Sequence, residues 1–201
     1  MPIGGEDFEG HYRAIAKTSV VRAASGRVAP AKAFTDLNAL LAFLPTDAKM
    51  RAIYPKLVVD PSASVTIKTK APAARVPEEQ RNVKVACWLY AARSEGDNDF
   101  HVIVGSSRDD ANATFLNVEV SGLPKAGHDR TLLQQARHHI EALLGSPPPK
   151  DRYDQRQPPL HVVVTGSLLF DADHYPHTIG PGTHKSASVW AIHPVISIQP
   201  A

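Results

Sequence analysis

A single cysteine, Cys87, stands in 201 residues, so no disulfide can close within the chain and no thiolate cage for zinc can form. Net charge is nearly absent as well. A formal +2 with a pI near 8.7 is too weak to argue for nucleic acid by itself. No apolar run approaches the length of a membrane span, and the start, MPIGGEDFEGHYR, has no apolar segment of the signal-peptide kind. The expectation is a soluble protein of a reducing compartment, cytoplasmic by default. Also missing are a HExxH helix, a CxxC pair, a nucleotide-cradling glycine motif and a nucleophile elbow, the TGSLLF stretch placing Ser167 within a strand. With 43% hydrophobic and 21% charged residues, the chain is an ordinary globular one rather than a disordered one.

What is present is proline. Seventeen of them fall between apolar runs, which points to short strands joined by stiff loops. The first 16 residues carry no period, and 17–23 reads as a short strand. A helix follows over FTDLNALLAFLP, capped by Thr35 or Asp36, with Leu37, Leu40, Leu41 and Leu44 on one face and Pro45 as its stop. One or two helical turns precede Pro55. Strands are expected in KLVVD and SVTIKTK around a Pro61-Ser62 turn. The segment 71–81 lacks an apolar pattern and marks a boundary, giving an α/β extension at 1–75, packed on a domain at 76–201.

That second region is orderly. NVKVACWLYAA alternates with Val83, Val85, Cys87 and Leu89 on one face, and strands follow in FHVIVGS and TFLNVEVSG. DRTLLQQARHHIEALLG is a helix, capped by Asp129 or Thr131 and ended by Gly145. After the proline-rich connector SPPPKDRYDQRQPP come a fourth strand, LHVVVTGSLLFD, broken by Gly166, and a fifth, SVWAIHPVISI. Strand, strand, strand, helix, strand, strand is the order of a five-stranded Greek-key barrel of the OB type, and a mid-strand glycine suits its sharp bend. The fold class is therefore mainly β, an OB-like barrel with a small N-terminal α/β extension.

Residues 82–201 also resemble a group of uncharacterised bacterial OB-fold-like proteins. The likeness lies in Asp99-Phe100-His101, Val118-Glu119, a Phe-Phe-Asp-x-x-His-like stretch at Phe170-Asp171-Ala172-Asp173-His174, and an ending of the Glu-x-His-Pro-Val kind at Ala191-Ile192-His193-Pro194-Val195. The acidic residue that this resemblance leads one to expect is Ala191 here. The resemblance implies a fold and no activity.

On such barrels, ligands sit on the face of the second and third strands, between the loop joining strands one and two and the loop joining strands four and five. Here those loops carry Glu95, Asp97 and Asp99, and His174, Tyr175, His177, His184 and Lys185. Alternation puts Asp99, His101, Asn117 and Glu119 on one face. Two kinds of site follow. Asp99, His101, Glu119, Asp171, His174 and His193 could hold a divalent metal such as zinc or manganese, or iron, or could shuttle protons. Equally, Trp88, Tyr90, Asp99, His101, Asn117, Glu119, Tyr175, His177 and Lys185 could line a binding face, with Trp88, Tyr90 or Phe115 stacking on bases or sugars. Against the second kind, the loop beside that face is acidic and would repel phosphates, and Trp88 or Phe115 would fill a small second core under the N-terminal segment. His138-His139 suit a helix C-terminus better than a ligand pair.

The leading expectation is a non-catalytic binding module for single-stranded nucleic acid, a glycan or a protein partner. A metal-dependent hydrolase or nuclease-like enzyme using Asp99, His101, Glu119, His174 and His193 comes second. A scaffold docking through the early helix comes third. The oligomeric state is left open.

Overall fold

The long alternating run from residue 82 forms the pivot strand of a closed barrel, as its period requires. The computed structural model describes residues 6–57, 72–125, 127–175 and 179–201. In chain order the elements are α1 (Ala14–Thr18), β1 (Ala31–Phe34), α2 (Leu37–Phe43), α3 (Asp47–Ile53), β2 (Asn82–Ser94), β3 (Phe100–Gly105), β4 (Phe115–Val120), α4 (Arg130–Leu144), β5 (Asp154–Phe170) and β6 (Ser186–Pro200). Strands run β2-β3-β4-β6-β5, and β5 pairs back onto β2, closing the barrel. β4 and β6 are parallel, and the other barrel neighbours are antiparallel. This is the expected OB-like barrel, with α4 between its third and fourth strands. No helix among the described residues is long and apolar enough to cross a membrane.

Alternation decides the two faces. Val83, Val85, Cys87, Leu89, Phe100, Val102, Val104, Leu116, Val118 and Val120 point into one buried core. A bulge between Leu89 and Ala91 breaks the period, so Tyr90 and Ala91 both join a separate cluster while Ala92 returns to the core. Gly166 lies at the closest crossing of β5 and β6. A Cβ there would sit 2.5 Å from the Ile192 side chain and the Pro194 carbonyl, and the β5–β6 register shifts on either side of it. The bend read from the sequence is therefore a steric requirement.

Caps explain the helices. Asp36 accepts from the Ala39 amide and Thr46 from the Lys49 amide, which starts α2 and α3. Gly145, at φ 80°, ends α4. Asp129 stands at the start of α4 without capping it. Its carboxylate accepts from the Val20 amide at 3.0 Å and faces Arg22 at 2.5 Å, so it anchors the N-terminal segment instead.

Some expectations change. Residues 17–23 are not a strand: α1 runs through Thr18, and the only pairing there is a bridge from Arg22 to Val28. A strand unread in the sequence, β1, adds to β2 in parallel, from Ala31 opposite Asn82 to Phe34 opposite Val85. The strands expected in KLVVD and SVTIKTK fall largely outside the described residues, beyond Leu57. The segment expected as a boundary supplies clamps. Arg13 makes a twin bond to the buried Glu79 at 2.6 and 2.7 Å. Arg75 donates to the carbonyls of Leu168, Ala16, Ser19 and His193, although burial pulls its guanidinium down to about 10. Residues 6–20 are thereby strapped across the outside of the barrel, with α1 against β6. There the Phe8 amide bonds the Leu123 carbonyl at 2.7 Å.

Candidate metal centre

His101 and Glu119 sit opposite each other across β3 and β4, with side chains outside the barrel. On the other side of β4, Asn117 pairs with Ala191 and Val118 with Ile192 of β6. The residue after Ile192 therefore comes level with Glu119 on the same face, and that residue is His193. Three neighbouring strands thus set His101, Glu119 and His193 in one lateral row. The inward partners of this row, Val102, Val118 and Ile192, are fully buried in the core, which fixes the register.

Residues from outside the strands complete the group. Asp99 precedes β3, and its Oδ1 accepts from the Gly122 amide at 2.6 Å. Its Oδ2 lies 3.3 Å from His193 Nε2. On the other side of that ring, Nδ1 lies 2.9 Å from Glu119 Oε2. The same Glu119 oxygen is 3.5 Å from His101 Nε2, while Oε1 accepts from Asn117 Nδ2 at 2.6 Å. Asp171, just past β5, faces Lys17 Nζ of α1 at 3.1 Å and His174 Nε2 at 3.5 Å. The His101 and His174 rings meet edge to face at 5.5 Å. Asp99, Glu119 and His193 are all 0% exposed.

The electrostatics are those of a crowded, dry site. Burial and the carboxylates of Asp97 and Glu119 push Asp99 well above the usual carboxylate range. Burial acts upward on Glu119 too, but His101, His193 and Lys17 outweigh it and hold Glu119 well below that range. Burial would lower His101, yet Glu119 and Glu95 raise it, whereas for His193 burial prevails and lowers it. Three buried carboxylates face one ammonium here. Asp99 Oδ2, Glu119 Oε2 and both ring nitrogens of His193 are buried and have, among the described residues, chiefly one another as partners, a costly arrangement for so many ionisable groups.

The chemistry of this donor set suits a metal ion. The ligand atoms of Asp99, Glu119 and His193 lie within 4.8 Å of one another, and those of His101, Glu119 and His174 form a second such set. Bonds of about 2 Å from zinc to nitrogen or oxygen place ligand atoms roughly 3–4 Å apart, so small side-chain movements would close the second set, while the first also needs the His193 ring to turn, since Asp99 and Glu119 now face its opposite nitrogens. Imidazole with carboxylate and no thiolate fits zinc, manganese or iron. A cavity of about 10 Å³, lined by Asn117, Asp171, His174, Trp190 and Ala191 among others, has room for roughly one water beside the second set. Ala191, at the position where an acid was expected, is part of its wall.

The other candidate residues lie elsewhere. Tyr90 is buried and its hydroxyl donates to the Ser107 carbonyl at 2.8 Å. Trp88 packs beside it and stacks on His161 at 4.4 Å. The second core expected for Trp88 and Phe115 exists, but among Tyr90, Ile103, Tyr153 and Ile179 rather than under the N-terminal segment. Tyr175 packs under the Arg51 guanidinium at 4.0 Å. Lys185 donates to the Gly180 carbonyl, and His184 points away from the centre to Asp110 at 2.9 Å. His138 and His139 are exposed, and His177 lies outside the described residues. Sequence reading missed Lys17, Arg13, Arg75 and Glu79. Nothing in the pattern around Lys17 marks it as buried, since only the left-handed turn at Arg13, φ 48°, aims α1 at the barrel.

Compared with protein-family models, curated proteins and solved structures, the chain matches none.

Proposed function

We propose that the protein binds a divalent transition metal, zinc or manganese, through Asp99, Glu119 and His193. One observation carries this reading. Three fully buried side chains from three separate segments bring carboxylate and imidazole donors together, and their facing atoms have chiefly one another as partners among the described residues. A metal would offset the excess of carboxylates over Lys17.

The small closed barrel suits a binding module in general. However, the face expected to receive an oligonucleotide, glycan or protein partner is covered by the chain itself: Asp99 is 0%, His101 5%, Asn117 1% and Glu119 0% exposed. The same covering limits a hydrolase to small substrates, because the cavity at His174 admits about one water. The N-terminal strap, fastened by Arg13, Arg75 and Lys17, would keep the metal from exchanging freely.

The test is metal content of tag-free protein purified without added metal, beside the Glu119→Gln variant. Close to one or more equivalents in the wild type, and a loss of at least tenfold in the variant, is expected. Folded wild-type protein that holds no zinc or manganese, and whose melting temperature neither chelator nor added metal changes, would overturn the reading.

A further inference from the structure

The second ligand set shares a residue with the first, and the sharing is at a single atom. Glu119 Oε2 faces His193 Nδ1 at 2.9 Å on one side and His101 Nε2 at 3.5 Å on the other. Its companion Oε1 is held by Asn117, which fixes the carboxylate's plane and leaves Oε2 to the two histidines. One metal cannot satisfy both histidines through that oxygen while also reaching Asp99 and His174, since they lie on opposite sides of Glu119 in the lateral row. Two ions bridged by one carboxylate would satisfy all of them, at the separation of roughly 3.5–4 Å seen in two-metal sites.

We propose that Glu119 bridges two divalent cations, the inner one held by Asp99 and His193 and the outer one by His101 and His174. This rests on the metal reading above. The two positions differ in their surroundings. Every ligand of the inner ion is fully buried, so it has no route for exchange and serves to hold the row together. The outer position has His174, whose side chain is 30% exposed, and it borders the cavity lined by Asn117, Asp171 and Ala191. It is the one that can keep a water ligand. Asp171 stays with Lys17 at 3.1 Å and orients His174 from behind, as carboxylates commonly do for ligating histidines.

The experiment is reconstitution. Wild-type protein and His174→Ala are stripped with chelator and titrated with manganese, and stoichiometry and the electron paramagnetic resonance spectrum are recorded. Two equivalents and an exchange-coupled multiline signal are expected for the wild type. One equivalent and an isolated six-line signal are expected for His174→Ala, whose partly exposed position leaves the fold intact by circular dichroism. One equivalent in both proteins would overturn the bridged pair and leave the single-metal reading standing. No bound manganese or zinc in either would overturn both.

Discussion

β3 and β4 carry two unlike patches on one outer face. At one end, Gly105 pairs with Phe115, and Phe115 packs edge-on to Tyr90 at 5.1 Å, with His184 against it at 4.8 Å. At the other, His101 pairs with Glu119, whose carboxylate also faces His193, and His193 in turn faces Asp99. Both patches are buried, both are covered by loops, and both obey the same alternation. At the apolar end the Tyr90 hydroxyl and its rings are partnered, and His184 has the partly exposed Asp110 carboxylate at 2.9 Å. At the polar end the facing atoms of Asp99, Glu119 and His193 have, among the described residues, chiefly one another, and all three side chains are fully buried. Burial alone therefore does not mark a site. Burial of several ionisable groups with chiefly one another as partners does.

The contrast can be broken from either end. The largest loss is expected for Lys17→Met, which strips the ammonium from a buried carboxylate, Asp171, and should cost about 3–5 kcal/mol in denaturant unfolding. A cost below about 1 kcal/mol would show that Lys17 is not what offsets the carboxylates. Phe115→Ala should cost about 3 kcal/mol through the cavity it leaves and should leave metal content unchanged. If metal falls with it, the two patches are one unit. Asp110→Asn removes the partly exposed partner of His184 and should shift stability by less than about 1 kcal/mol, within the error of a melting curve. Smallest of all is the behaviour of Cys87. Its thiol is buried and pushed up to about 12, so it should resist a disulfide reagent at pH 8 in the native protein and react at once in urea. Fast native labelling would mean that the barrel opens readily.

The barrel and its polar row were legible in the sequence because both depend on period-two alternation. Val102 and Val118 inward imply His101 and Glu119 outward, and the strand order gives the closure. The parallel pairing of β4 with β6 follows from that topology, and so His193 falls into the row. What alternation could not reveal was the cover. α1 is five residues long, too short to show a helical period, and Lys17 within it looks like any surface lysine. Its burial depends on bonds from Arg13 to Glu79 and from Arg75 to four carbonyls, contacts that cross 56 or more positions and leave no local pattern. For the same reason the loop histidines separated: His174 joins the centre while His184 turns to Asp110. Only the packed fold decides between them.

An anomalous difference map at the zinc edge, from crystals of tag-free protein grown with zinc, decides whether the buried row holds metal. A strong peak is expected between Asp99, Glu119 and His193, within bonding distance of all three. Peaks confined to exposed histidines such as His138 and His139, with none at Glu119, would contradict the metal reading.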